Sequence, residues 1–277
     1  MGRPLGGTGR RPLPVDGTVN LLAIETATDL VGAALVTDDH AAERSHQGGR
    51  RHAESLAPAI EEVCALTGLT VRELDVVAVD VGPGLFTGLR VGVATAKALA
   101  QGLGIGVLGV GSLDVLAAGA LEMAGGDGPV TVVSVVDARR GEVFVARYDV
   151  PAGGDGGSTG GRPDPDAVRA APPALLTPAA LADSLVATDP GHERRVVVVG
   201  DGAVRHLDLL MAAGAADCSL AETVSSPSPL VLGRLATRRL AGGWEASDPL
   251  ELAPDYRREA DARINWEQRT PPDPPTP

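Results

Sequence analysis

The segment Val76-Val77-Ala78-Val79-Asp80-Val81 runs directly into Gly82-Pro83-Gly84-Leu85-Phe86-Thr87-Gly88-Leu89-Arg90. A β-branched apolar run of this kind reads as a buried strand. The Gly/Pro cluster after it is a tight turn, and the small-residue segment beyond is a helix that starts at Thr87 and runs to about Leu103. Strand, glycine loop and helix together turn backbone N–H groups at a helix N-terminus toward an anion or a partner.

Outward from this junction the pattern alternates. Residues 20–24 read as a strand, 30–37 as its hairpin partner and 41–47 as a third, weaker strand. A helix follows over 55–67, with Pro58 in its first turn, where the missing N–H costs nothing, and Gly68 as its stop. Another short strand at 105–110 leads to a helix capped by Ser112 and ending near Met123. The second half repeats the theme. Residues 130–136 and 141–148 form a hairpin turned at Asp137-Ala138-Arg139-Arg140, and 178–187 is helical. The strand 195–199 opens through Gly200-Asp201-Gly202 into a helix ending near Ala213, and a last helix covers 229–240. Strand hairpins feeding strand–helix units, twice over, predict an α/β protein of two related lobes. The first lobe takes 19–109 plus about 227–266, and the second 110–226. Residues 1–18, 151–173 and 267–277 are expected to be disordered, because few apolar side chains there offset the entropy of ordering the backbone.

The bulk composition narrows the function classes. The 277 residues are 44% hydrophobic with a net charge of −12, which disfavours independent nucleic-acid binding. The short arginine groups Arg44/Arg50/Arg51, Arg139/Arg140 and Arg238/Arg239 have almost no aromatic neighbours and read as solvated surface. Cys64 and Cys218 make no disulfide framework, no apolar run spans a membrane, and no secretory signal opens the chain. The expectation is a reduced, cytoplasmic protein.

Three sites could carry function. Glu25-Thr26-Ala27-Thr28 sits at the turn after the first strand, where a carboxylate and hydroxyls could hold metal and phosphate or simply stabilise a polar turn. Gly82 and Gly84 at the glycine loop, and Gly200, Asp201 and Gly202 at the later strand end, complete a candidate degenerate nucleotide site or are ordinary turns. The third site is not chemical. Gly88, Gly92, Ala96, Ala100 and Gly104 recur every four residues, flanked by Leu89 and Val93, and such a ridge admits a close helix. Leu56, Ile60, Val63 and Leu66 make the apolar face of the preceding helix. These faces serve either a partner or the chain's own sheet. Lys97 is the only lysine and has no Walker glycines before it, no G-x-G-x-x-G follows a strand, and no G-x-S-x-G elbow surrounds Ser112 or Ser134 near the strand ends. None of His40, His46, His52, His192 and His206 pairs at i, i+4, so no metal is expected.

Ile24 to Thr28, His52 to Pro58, Gly82 to Gly92, Asp137 to Phe144, Gly200-Asp201-Gly202 and Pro254 to Arg258 occur in the order seen in the TsaB/YeaZ family, and over about residues 21–258 the chain resembles it. The resemblance implies a two-lobed actin-like (ASKHA, ribonuclease H-like) fold of mixed sheets flanked by helices. It also implies a non-catalytic subunit of the bacterial machinery that installs N6-threonylcarbamoyladenosine (t6A) beside the tRNA anticodon. That subunit would dimerise with the catalytic paralogue TsaD, be joined by the nucleotide-hydrolysing TsaE, and meet tRNA only through the complex. A homodimer when alone and a weak or interfacial adenine nucleotide are compatible with it. The partner surface would use the helices at 55–67 and 87–103, hence Leu56, Ile60, Val63, Gly88, Leu89, Gly92, Val93, Ala96 and Ala100. The second histidine of TsaD's metal pair has no counterpart near His52, Glu25 stands where Asp is usual, and Gly111 precedes Ser112. The alternatives are an actin-like ATPase or kinase, or a glycoprotease-like metallopeptidase, acting alone.

Overall fold

A computed structural model describes residues 10–14, 19–47, 52–124, 128–152, 164–188, 194–214 and 217–256. In it the chain opens with an antiparallel meander of β1 (Leu21–Glu25), β2 (Leu30–Val36) and β3 (Ala41–Gln47). Helix α1 (His52–Thr67) crosses over, and β4 (Val76–Gly82) returns parallel to β1. Helix α2 (Phe86–Leu103) then leads to β5 (Gly106–Gly111), parallel to β4, which completes a sheet of order β3-β2-β1-β4-β5. Strand alternation fixes the two faces. Leu22, Ile24, Val77 and Val79 pack beneath α1 and α2. Leu21, Ala23, Val76 and Ala78 pack beneath α3 (Ser112–Met123) and α7 (Pro229–Ala241). Strand β3 is the exposed edge, and Glu43, Arg44 and His46 blunt it.

The second sheet has the order β8-β7-β6-β9. It comprises β6 (Val130–Arg139), β7 (Glu142–Val150), β8 (Ala174–Leu176) and β9 (Arg195–Val199). One face packs on α3 through Leu113, Leu116, Ala117, Ala120 and Leu121. The other is covered by α4 (Pro178–Thr188), α5 (Asp201–Arg205) and α6 (Leu207–Ala212). Helix α3 is therefore shared by the two sheets. Its residues from Ser112 to Leu121 are all buried, as expected for a helix with apolar residues all round.

Several expectations need correction. Helix α1 begins at His52, so Pro58 lies in the second turn, with its ring exposed. Ser112 does not cap α3; Gly111 is the N-cap, and the Ser112 hydroxyl is engaged elsewhere. The helix expected to run to Ala213 is broken at His206 into α5 and α6. Residues 10–14, placed in a disordered tail, lie against the first sheet: the Arg11 N–H donates to the Gly104 carbonyl at 2.6 Å and its guanidinium pairs with Asp75 at 3.0 Å. The stretch 151–173 is also only partly as expected, since Pro165–Val168 is a 3-10 turn whose N-cap is Asp164. Residues 1–9, 15–18, 153–163 and 257–277 of the expected loops and tails lie outside the described residues.

The ridge of small residues in α2 has a definite use. A Cβ at Gly92 would stand 2.2 Å from the Thr26 Oγ1 and 3.6 Å from Ile24, so glycine lets α2 lie directly on the end of β1. Gly92→Ala should therefore lower unfolding stability by about 1–3 kcal/mol through overpacking. Gly102→Ala, which meets open space on the same helix, should cost nothing. Urea denaturation of the two variants against the parent checks the contrast.

Candidate functional site

In both sheets the polar residues cluster at the carboxyl ends of the parallel strands, where open α/β sheets place their ligands. Glu25 follows the Ile24–Val79 pair, so it falls beside Asp80 on the neighbouring strand, on the face covered by α3. Both carboxyl groups are completely buried. Glu25 Oε1 accepts the Ala27 N–H at 2.7 Å. Asp80 Oδ1 accepts the Gly82 N–H at 2.7 Å and the Ser112 hydroxyl at 2.6 Å. Burial, and then the Asp80 charge, hold the Glu25 carboxyl well above the usual range. Burial likewise pushes Asp80 up to about 6, against the pull of its hydrogen bonds from Glu25, Ser112 and Gly82.

Thr26 points to the opposite face, and its hydroxyl donates to the Gly88 carbonyl at 2.8 Å. Gly84 packs under Ala27: a Cβ there would stand 2.2 Å from the Ala27 carbonyl oxygen, which accepts the Leu85 N–H at 2.6 Å. Glu25, Thr26, Gly82 and Gly84 are thus brought together, with the turn after β1 packed directly against the glycine loop.

Gly200, Asp201 and Gly202 stand at the end of β9 in the second sheet. Gly200 has a φ of 106°, and a Cβ would stand 2.1 Å from the Val135 carbonyl. Asp201 Oδ1 accepts the Asp137 N–H at 2.9 Å, and burial raises the Asp201 carboxyl above its ordinary value. Asp137 in turn pairs with Arg139 at 3.1 Å and Arg205 at 3.2 Å. Arg139 reaches across to Asp29 at 3.6 Å, so the β6–β7 turn meets the β1–β2 turn and both polar clusters lie on the same side of the molecule.

Two features escape sequence reasoning. Asp80 was read only as part of an apolar strand, although a lone carboxylate in a β-branched run was the available signal. The second is a buried ion network around Asp114 on α3. Its carboxylate accepts the Tyr148 hydroxyl at 2.8 Å, pairs with Arg169, and accepts from Arg239 of α7 at 3.0 Å. Arg239 also binds Asp164 at 2.9 Å. Burial and the Asp114 charge push the Tyr148 phenol well up. Arg239 was expected on the surface, yet only 3% of it is exposed, because it reaches inward to the two carboxylates.

The residues expected at a partner surface are also corrected. Leu56, Ile60, Val63, Gly88, Leu89, Gly92, Val93, Ala96 and Ala100 are all buried within the chain, packed on its own first sheet or in its loops. The outward faces of the same helices carry Ala53, Ala57, Glu61 and Ala65 on α1, and Arg90, Ala94 and Ala98 on α2. At the start of α2, Phe86 and Tyr256 pair at 5.2 Å between ring centroids, with the Arg90 guanidinium 3.8 Å from the Phe86 centroid. Among the described residues no helix is long and apolar enough to cross a membrane.

Two lobes of mixed sheet flanked by helices, with polar clusters at the facing strand ends, define an actin-like α/β protein. Residues 36–154 match the family described as TsaD: tRNA N6-adenosine threonylcarbamoyltransferase. The chain is 32% identical to the tRNA threonylcarbamoyladenosine biosynthesis protein TsaB of Escherichia coli, over 47% of this chain and 55% of that one. It is 44% identical to an uncharacterised Mycobacterium tuberculosis protein over 46% of this chain and 58% of the relative. The match therefore spans little more than half the length of these curated relatives. In three dimensions it is similar to YeaZ from Pseudomonas aeruginosa, with a TM-score of 0.68 and 26% identity over 86% of this chain and 99% of that one. The resemblance to TsaB/YeaZ and the actin-like fold read from the sequence are both borne out.

Breaking the ion network should unfold the lobes from one another. Arg239→Ala leaves Asp114 buried with one cation fewer and should cost about 3–5 kcal/mol of stability. The measurement is the denaturant midpoint of the variant against the parent.

Proposed function

We propose that this chain is a TsaB-type partner subunit in the biosynthesis of t6A on tRNA, acting in the cytoplasm without a reaction of its own. The observation that carries the reading is the likeness to YeaZ, which extends over nearly the whole length of that protein, together with similarity to proteins named TsaB. The geometry supports a scaffold. The Thr26 hydroxyl, the Leu85 N–H and the Asp201 carboxylate are all engaged by neighbours within the chain, so the strand ends serve the fold first.

In this reading the chain pairs with a TsaD-type catalytic subunit, and a TsaE-type protein joins the pair. No nucleotide is held at the Glu25 turn, and tRNA is met only through the assembly. A partner shifts its catalytic neighbour toward an active conformation only by binding that conformation better. The surface available for this is the outward flank of α1 and α2, where Ala57, Ala94 and Ala98 leave room for a close helix.

Co-expression with a TsaD-type protein should yield a stable complex on gel filtration, and depletion of the chain in its host should lower the t6A content of tRNA measured by mass spectrometry. Ala57→Arg and Ala94→Arg, on exposed positions, should keep the parent melting temperature and weaken pairing by about tenfold or more, equivalent to about 1.4 kcal/mol. Unchanged pairing by both variants would move the contact elsewhere. Micromolar binding of magnesium-ATP by the isolated chain in calorimetry would instead favour an actin-like ATPase.

A further inference from the structure

Glu25 and Asp80 form a carboxyl pair that the proposed function does not use. Each lies at the end of a parallel strand, each is completely buried, and each has one oxygen satisfied by backbone or Ser112 donors. The other two oxygens, Glu25 Oε2 and Asp80 Oδ2, receive no donor from any other described group. Two ionised carboxylates cannot sit side by side in a dry interior, and a carboxylic acid donating to a carboxylate satisfies both oxygens at once.

Among the described residues packed against the pair, none supplies a cation to substitute for that proton. From β2 the facing residue is Gly32, which pairs with Glu25. On α2 the Gly88 carbonyl is taken by the Thr26 hydroxyl, and Arg90 is exposed. From α3 come Ser112, which donates to Asp80, and Asp114, whose charge adds to the pressure on Asp80. Arg239 of α7 and Arg169 are both committed to Asp114.

We propose that Glu25 and Asp80 hold one proton between them, with Glu25 as the donor, and that this shared proton is a pH-sensitive clasp between the ends of β1 and β4. The clasp sits at the base of two contacts that position α2. These are the Glu25–Ala27 turn, whose carbonyl receives the Leu85 N–H, and the Asp80–Gly82 turn, which starts the glycine loop. Losing the proton sets two negative charges against each other at that point and loosens the entry to α2. The inference stands on these residues alone and is independent of the assembly the chain enters.

The sign of the pH effect follows. Both groups bind protons more tightly in the folded chain than in the unfolded one, so their contribution is full at pH below about 4. It falls as pH rises through about 6, where Asp80 ionises, and further when Glu25 follows. Glu25→Gln replaces the shared proton by a permanent amide N–H donor to Asp80. Its folding equilibrium constant relative to the parent should therefore rise by up to about tenfold per pH unit between pH 6 and 8. Chemical denaturation of the full chain across that range gives the ratio. As a second readout, infrared difference spectra of the folded parent at pH 7 should show the carbonyl band of one buried protonated carboxyl, absent from Glu25→Gln. A ratio that stays flat with pH, or a parent lacking that band, overturns the clasp. Should Glu25→Gln fail to fold, Asp80→Asn takes its place in both measurements with the same expected signs.

Discussion

One buried carboxylate organises this molecule. Asp114 lies on the helix that, among the described residues, packs on both sheets, and its partners come from three further segments: Arg239 from α7 on the first sheet, Tyr148 from β7 of the second, and Arg169 from the segment before β8. Apolar burial is non-directional, so the leucines and alanines of α3 would tolerate several rotations between the lobes. A buried charge tolerates very few, because any arrangement that unpairs it is penalised by several kcal/mol. The ion network thus adds direction to the apolar packing of α3 on both sheets, while the β1–β2 and β6–β7 turns meet at Asp29 and Arg139.

With the lobes so fixed, the strand ends become crowded. Gly84 and Gly200 each lie so close to a neighbouring carbonyl that a single added carbon would overlap it. The polar atoms there are paired inward: Thr26 with Gly88, Asp137 with Asp201, Ser112 with Asp80. A related fold that handles phosphate needs such donors unengaged. Here the same bonds hold the starts of α2 and α5 in place.

Much of this was legible beforehand. The strand–glycine loop–helix junction, the two hairpins and the repeated α/β pattern follow from period and turn chemistry, and the observed strands and helices lie within a few residues of them, except for the unexpected β8 and the break between α5 and α6. The recurrence of Gly88, Gly92, Ala96 and Ala100 was visible as well, but not its direction. Periodicity tells which residues share a face, while which neighbour that face meets is a tertiary fact, settled here by the 2.2 Å approach of Gly92 to Thr26. Asp114, Arg169 and Arg239 were illegible for a different reason. They are far apart in sequence, and each alone looks like an ordinary surface charge until three segments converge on α3.

The exposed flank that remains has a definite electrostatic character. Among its residues α1 contributes Glu54, Glu61 and Glu62 and no Lys or Arg, whereas α2 contributes Arg90 and Lys97 and no acid. The net charge of −12 therefore does not describe this face, which carries fields of opposite sign on adjacent helices. A binding surface of that kind selects orientation more than affinity, because a partner meeting it the wrong way round sets like charges together. Between these charges the flank exposes the small side chains Ala57, Ala94 and Ala98. Buried glycines hold α2 on its own sheet, and the exposed alanines on its other side leave that helix open to a neighbour.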